Sequence, residues 1–232
     1  MAAGRPDVEH ADMLIDGDCI KAIDAALTAD DVEILDLTGR IVIPGLVNAH
    51  LHTWQTALRG VGGDWTLMRY LTEMHGRLAE AYRPEDLHIG TLAGALNQIG
   101  RGITTLGDWC HNNPTPDHTD AAIDALEQAA IRAVFFHGAP KRAPDVVHPV
   151  TEVDRILEDT ASSSRLSVGI AANGPQGSTP DVAIADFEAA IERGAVISMH
   201  QSGGEPGPAW DAVRDAGLFG SHANIVHGAG LR

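Results

Sequence analysis

"IVIPGLVNAHLHTWQTALRG", residues 41–60, is an apolar run broken by Pro44-Gly45 that ends in two histidines one residue apart, His50 and His52. Twelve histidines in 232 residues make about 0.6 such pairs by chance, so the pair alone is weak evidence. Its placement carries more. Strand side chains alternate, so residues 50 and 52 point the same way from the end of a strand.

Working outward, the sequence alternates apolar strand-like runs with helical patterns about every 30 residues. The runs are residues 45–50, 102–109, 132–138, 166–174, 195–202 and 223–228. Between them, Pro84 opens a helix with Leu92, Leu96 and Ile99 on one face. Ile123, Leu126 and Ala130 mark the next. Thr151-x-x-Asp154 resembles a capping box, and Thr179-Pro180 pairs an N-cap with proline at the first helical position. "GPAWDAVRDAGL" ends at Gly217. Fully apolar strands alternating with helices imply an α/β fold, a parallel sheet covered by helices. Both a doubly wound sheet and a (β/α)8 barrel with about six units present satisfy the pattern. Residues 12–43 differ: two short runs flank Asp16-Gly17-Asp18, a hairpin signal, and two more flank Thr38-Gly39. Residues 1–44 therefore read as a small β unit and residues 45–232 as the main domain. The stretch between Trp54 and Pro84 is long for a connection. Its Leu67, Tyr70, Leu71 and Met74 lie at helical spacing, as suits a lid or a surface packed on a partner chain.

Polar residues close the strands: His50 and His52, then Asp108 with His111, then His137, Asn173, His200 and His227. Sites form at the carboxyl ends of parallel strands, so these residues converge on one cavity. Neutral imidazole suits Zn²⁺ or Fe²⁺, and a catalytic zinc with an open position lowers the pKa of its water to about 7. Asp108 is a candidate hydrogen-bond partner for a ligand histidine. His75, His88, His118, His148 and His222 read as surface or capping residues.

Composition narrows the partners. A net charge of −16, from 32 acidic against 16 basic residues, disfavours nucleic acid and anionic membranes. Cys19 and Cys110 form no disulfide framework or cysteine zinc motif. No run reaches the ~18 apolar residues of a membrane span and no signal-peptide core is present, so a cytoplasmic protein acting on a small molecule is expected. Association with a second copy is left open. No GxGxxG or P-loop follows a strand, which argues against a nucleotide-binding doubly wound sheet.

"PGLVNAHLH", "LRG", "SMHQS" and "NIVHG" together resemble the amidohydrolase superfamily, and within it the cytosine deaminase and chlorohydrolase-like branch. The resemblance implies an incomplete TIM-type (β/α)8 barrel plus part of a small β-sandwich. It implies a metal-dependent hydrolase of C–N or C–halogen bonds in a small nitrogen heterocycle. His50, His52 and His200 would be the metal ligands, and His227 would hold substrate or the attacking water. By position, Trp54 and Gln55, just past the histidine pair, and His111, His137 and Asn173, at strand ends, are candidates to face the substrate, with loop packing or structural hydrogen bonding as the alternative. Relatives with two metals use a bridging lysine after the fourth strand; here the only lysines are Lys21 and Lys141, so one divalent ion, zinc or iron, is expected. Gly203 stands where the family pattern has a general-acid/base glutamate, with Glu205 two residues on as the substitute. The family's last ligand, an aspartate after an eighth strand, lies beyond the six strands read here. The chain therefore reads as a fragment, either of an active hydrolase or an inactive remnant that binds metal without turnover.

Overall fold

The computed structural model describes residues 8–138 and 143–231, so Lys141 lies outside the described residues. The chain divides into two compact units, Met1–Ile43 and Pro44–Arg232.

In the first unit, strands β1 (Asp12–Asp16) and β2 (Cys19–Asp24) form an antiparallel hairpin. Asp16 pairs with Cys19, leaving Gly17 and Asp18 as a two-residue turn. Gly17 has φ 58°, the left-handed conformation such turns require at their first central residue. The two runs around Thr38-Gly39 form no strands among the described residues. A turn is there, with the Arg40 N–H donating to the Leu37 carbonyl at 2.9 Å. Its flanks have no ladder partner, and Ile34, Leu35 and Ile41 are exposed.

The second unit is built on six parallel strands in sequential order: β3 (Leu46–Leu51), β4 (Ile103–Cys110), β5 (Arg132–Gly138), β6 (Leu166–Ala171), β7 (Val196–His200) and β8 (Ala223–Val226). All six apolar runs form strands. They curl into a nearly closed barrel: Asn224 on β8 donates its Nδ2 to the Ala49 carbonyl of β3 at 3.3 Å. Alternation sorts the side chains. Trp109, Phe136 and Ala171 cluster inside. Leu106, Cys110, Phe135, Val168, Ile170, Ile197 and Met199 face the helices and make the main core with Leu87, Leu126, Ile156, Phe187 and Val213. This is an incomplete TIM-type barrel rather than an open doubly wound sheet.

The outer helices include α2 (Pro84–Ile99), α3 (Pro116–Ala129), α4 (Val150–Asp159), α6 (Pro180–Glu192) and α7 (Pro208–Asp215); α1 (Leu67–Tyr70) and α5 (Gly174–Gly177) are short. Proline opens α2, α3, α6 and α7, where its missing N–H costs nothing. Two details depart from the sequence reading. Helix α4 begins at Val150 after Pro149, so Thr151 sits in its first turn and not at its cap. Helix α2 buries Leu87, Gly90, Thr91, Gly94 and Ala95, leaving Leu96 and Ile99 partly exposed. The reason is a close approach. A Cβ on Gly90 would lie 2.6 Å from the Trp54 carbonyl oxygen, and one on Gly94 2.7 Å from Thr56 Oγ1. Small residues let α2 press on the 3-10 turn Thr53–Leu58, directly after His52. Among the described residues, no helix is long and apolar enough to cross a membrane.

Candidate metal centre

β3 ends with the His50 side chain in the barrel and Leu51 packed on the main core; His52 follows. β7 delivers His200 as its last residue, paired with Val226. The ring centroid of His50 lies 4.6 Å from that of His52 and 4.7 Å from that of His200. The Nε2 atoms of His50 and His200 are 3.2 Å apart, and one nitrogen from each of the three rings lies within 4.8 Å of the others.

Ligand histidines must be neutral, and their rings must be held. Burial provides the first condition, pushing His50 down to about 4 and His200 down to about 3, with neighbouring imidazoles adding to the shift. His52 is lowered by burial too, its hydrogen bond to Trp109 opposing. The Trp109 carbonyl provides the second, accepting from His52 Nδ1 at 2.7 Å. A carbonyl only accepts, so Nδ1 carries the proton and the Nε2 lone pair is free for a cation. The β3–β4 ladder shifts register between Asn48 and Leu51, beside this contact. Asp108 does not take that role. Alternation turns it outward, and its Oδ1 accepts the Thr53 N–H at 3.1 Å while Oδ2 has no partner. Burial pushes its carboxyl up to about 6.

His227, just past β8, has φ 66°, and the Gly228 N–H donates across it to the Val226 carbonyl at 2.9 Å. Such a positive-φ γ-turn is rare and strained for a non-glycine residue. The His227 ring centroid lies 5.5 Å from that of His200 and 6.2 Å from that of His50.

A second group of rings adjoins the first. His111 lies 4.6 Å from His52 between centroids, and its Nδ1 accepts from Trp54 Nε1 at 3.3 Å. His111 Nε2 meets His75 Nε2 at 3.0 Å, and His75 Nε2 is 3.1 Å from the Tyr70 hydroxyl. Gln55 Nε2 donates to that hydroxyl at 2.7 Å. Trp54, Gln55 and His111 thus stand together. So does His75, which the sequence reading left on the surface.

The remaining candidates fall on other elements. His137 follows inward-facing Phe136 and turns to the helix side, where its Nδ1 meets His148 Nε2 at 3.2 Å. His148 is buried, not a surface residue, and its N–H donates to Asp186 Oδ1. Asn173 is half-buried at the N-cap of α5. Glu205 is exposed on the loop after β7. Two glutamines pin that loop ahead of it. Gln176 binds Ser202 N and Gly203 O, each at 2.6 Å, and buried Gln201 reaches the Gly203 carbonyl at 3.2 Å.

A family model described as the amidohydrolase family matches residues 41–231. The chain belongs to the amidohydrolase family. A 5-methylthioadenosine/S-adenosylhomocysteine deaminase of Natronomonas pharaonis is 30% identical over 199 residues, 83% of this chain and 44% of that protein. A 5'-deoxyadenosine deaminase of Methanothrix thermoacetophila is 31% identical over 140 residues, 60% of this chain and 33% of that protein. Among solved structures, the zinc complex of atrazine chlorohydrolase from Arthrobacter aurescens TC1 superposes with a TM-score of 0.71 at 21% identity, covering 95% of this chain and 56% of that one. A zinc-bound adenosine deaminase of Xanthomonas campestris gives 0.69 at 20%, covering 97% and 54%. This amidohydrolase chain spans about half the length of the relatives it matches.

Proposed function

We propose that the chain forms the metal-binding part of a hydrolase that cleaves a C–N bond, as a deaminase does, or a C–halogen bond of a small nitrogen heterocycle. On this reading Met1–Ile43 is part of a small β-sandwich and the rest is the hydrolase barrel. One observation carries the proposal. Three neutral imidazoles from β3 and β7 bring nitrogens within 4.8 Å of one another, and the Trp109 carbonyl leaves His52 Nε2 free to bind. Deaminase relatives and zinc-bound neighbours of the same fold support it.

His50, His52 and His200 would hold one divalent ion, zinc or iron. When bound, that ion supplies Lewis-acid activation of water. The chain's own residues do the rest. Burial keeps the ligand rings uncharged, and the Trp109 carbonyl aims one of them. His227, turned toward the cluster by its γ-turn, holds substrate or moves a proton. Trp54 and Gln55 border the entrance with His111. Glu205 is exposed on the loop that Gln176 and Gln201 pin, so the proton-transfer role falls first to His227.

A second reading is binding without turnover. The ligand group holds three histidines and no carboxylate among the described residues, and the chain spans about half the length of its relatives. One experiment separates the two. The purified chain is titrated with zinc, then assayed for ammonia from 5'-methylthioadenosine and 5'-deoxyadenosine and for chloride from atrazine. One tightly bound zinc with product release supports the hydrolase. One zinc without product supports the second reading, and no zinc overturns both. In an active protein, His227→Asn is expected to cut kcat about 10²–10⁴-fold with zinc content unchanged.

A further inference from the structure

We propose that His75 is a positioning residue: through His111 it docks the segment Leu67–Ala81 on the His52 side of the metal cluster. It rests on the proposed function only for what lies beside it. The segment changes helix type along its length, from α1 through the π-helical turn Leu71–Leu78 to a 3-10 turn at Ala79–Ala81. In an α-helix, positions five apart differ by about 140° around the axis. The i→i+5 register of a π-helix stacks them on one face. Tyr70 and His75 are five apart, and the phenol oxygen stands 3.1 Å from His75 Nε2. The unusual helix has a use: it puts both side chains on the face that meets the site.

Donor and acceptor character orders the contacts from Trp54 through His111 to His75. An indole N–H only donates, so His111 Nδ1 must accept from Trp54. Neutral His111 then carries its proton on Nε2 and donates it to His75 Nε2. His75 Nε2 is therefore an acceptor, and its own proton sits on Nδ1. The Tyr70 hydroxyl accepts from Gln55 Nε2, and its one proton has two acceptors in reach, Gln55 Oε1 and His75 Nε2, each at 3.1 Å. His75 thereby accepts from His111, which Trp54 holds, and lies against the hydroxyl that Gln55 holds, so both of its neighbours are rooted in the turn Thr53–Leu58.

The relay also sorts the histidines. His52 and His111 lie 4.6 Å apart and carry opposite tautomers: Nδ1–H on His52, Nε2–H on His111. The Nε2 of His111 is occupied by a proton that His75 holds in place, so His111 packs beside the ligand ring without competing for its cation.

The test uses the zinc-free full chain, so a failure to bind zinc would sink the proposed function and leave this result standing. Long-range ¹⁵N–¹H correlation reads the tautomers in the unmutated protein; His111 as Nε2–H is expected, and His111 as Nδ1–H overturns the proposal whether or not any variant folds. Hydrogen exchange is then compared for H75F, which keeps a ring but accepts nothing, and H75Q, whose amide oxygen accepts. H75F is expected to speed exchange across 67–81 about tenfold, the scale of one lost net hydrogen bond, with β4–β6 unaffected. The His111 tautomer, set by Trp54, should stay Nε2–H in both variants, and H75Q should restore slow exchange. Unchanged exchange in H75F, or no rescue by H75Q, overturns it.

Discussion

His50, His75 and His200 all take up protons less readily in the fold than in the unfolded chain: burial lowers them to about 4, about 4 and about 3 from an ordinary 6.5. As pH falls below 6.5 the unfolded chain binds protons first, so folding stability is lost between about pH 6.5 and pH 3. Asp108 acts with the opposite sign. Its folded value near 6 lies above the ordinary 3.8, so its contribution is present below 3.8 and lost as pH rises through 6. The urea midpoint of the zinc-free chain is therefore expected to drop from about pH 7 to about pH 4.5, and Asp108→Asn to steepen that drop. Urea titrations across the range measure both. The pair His50 and His52 was legible because strand alternation is, and His200 because it closes a second strand. His75 was not: a five-residue spacing signals nothing under a 3.6-residue period, and its i→i+5 register shows only in the backbone. Nor was the exchange of Asp108 for a main-chain acceptor beside it, since which neighbour faces outward depends on the register of β4.

Helix α2 and the turn after His52 meet backbone to backbone at Gly90, with no space for a side chain. Gly90→Ala is expected to cost about 1–3 kcal/mol, the usual penalty of overpacking, and to shift the fluorescence of Trp54, whose carbonyl the new methyl would strike. A urea midpoint and an emission spectrum check the two effects. Hydrophobic spacing pointed to Leu92, Leu96 and Ile99 as the packing face, because large apolar residues usually mark one. Here the contact demands small residues, and Gly90-x-x-x-Gly94 was the visible sign of it. All six barrel strands could be read from their apolar runs. The segments around Thr38-Gly39 looked alike but formed no strands, because β-propensity needs a ladder partner that short-range sequence does not supply.

Over the whole chain, a charge of −16 favours expansion, and salt screens it. Raising NaCl from about 0.05 M to about 0.5 M is expected to raise the midpoint for unfolding by urea, a trend opposite to that of a fold held by surface ion pairs. Zinc at about 100 times its Kd should add about 2.7 kcal/mol, lost again on chelation; calorimetry with and without a chelator reads it. Strand order and parallel sense follow from the alternation of runs and helices, whereas the near-closure of β8 on β3 belongs to the accumulated twist of the sheet. That same sheet holds the acceptor of the His52 proton, and the acceptor is a peptide carbonyl. Every one of the twenty amino acids would bring that oxygen to position 109. No codon specifies the lock and no missense change at its own site deletes it. Only an insertion, a deletion or a register slip in β4 would do so, which makes the aim of this imidazole an inheritance of the barrel, tolerant of drift in side chains and intolerant of drift in length.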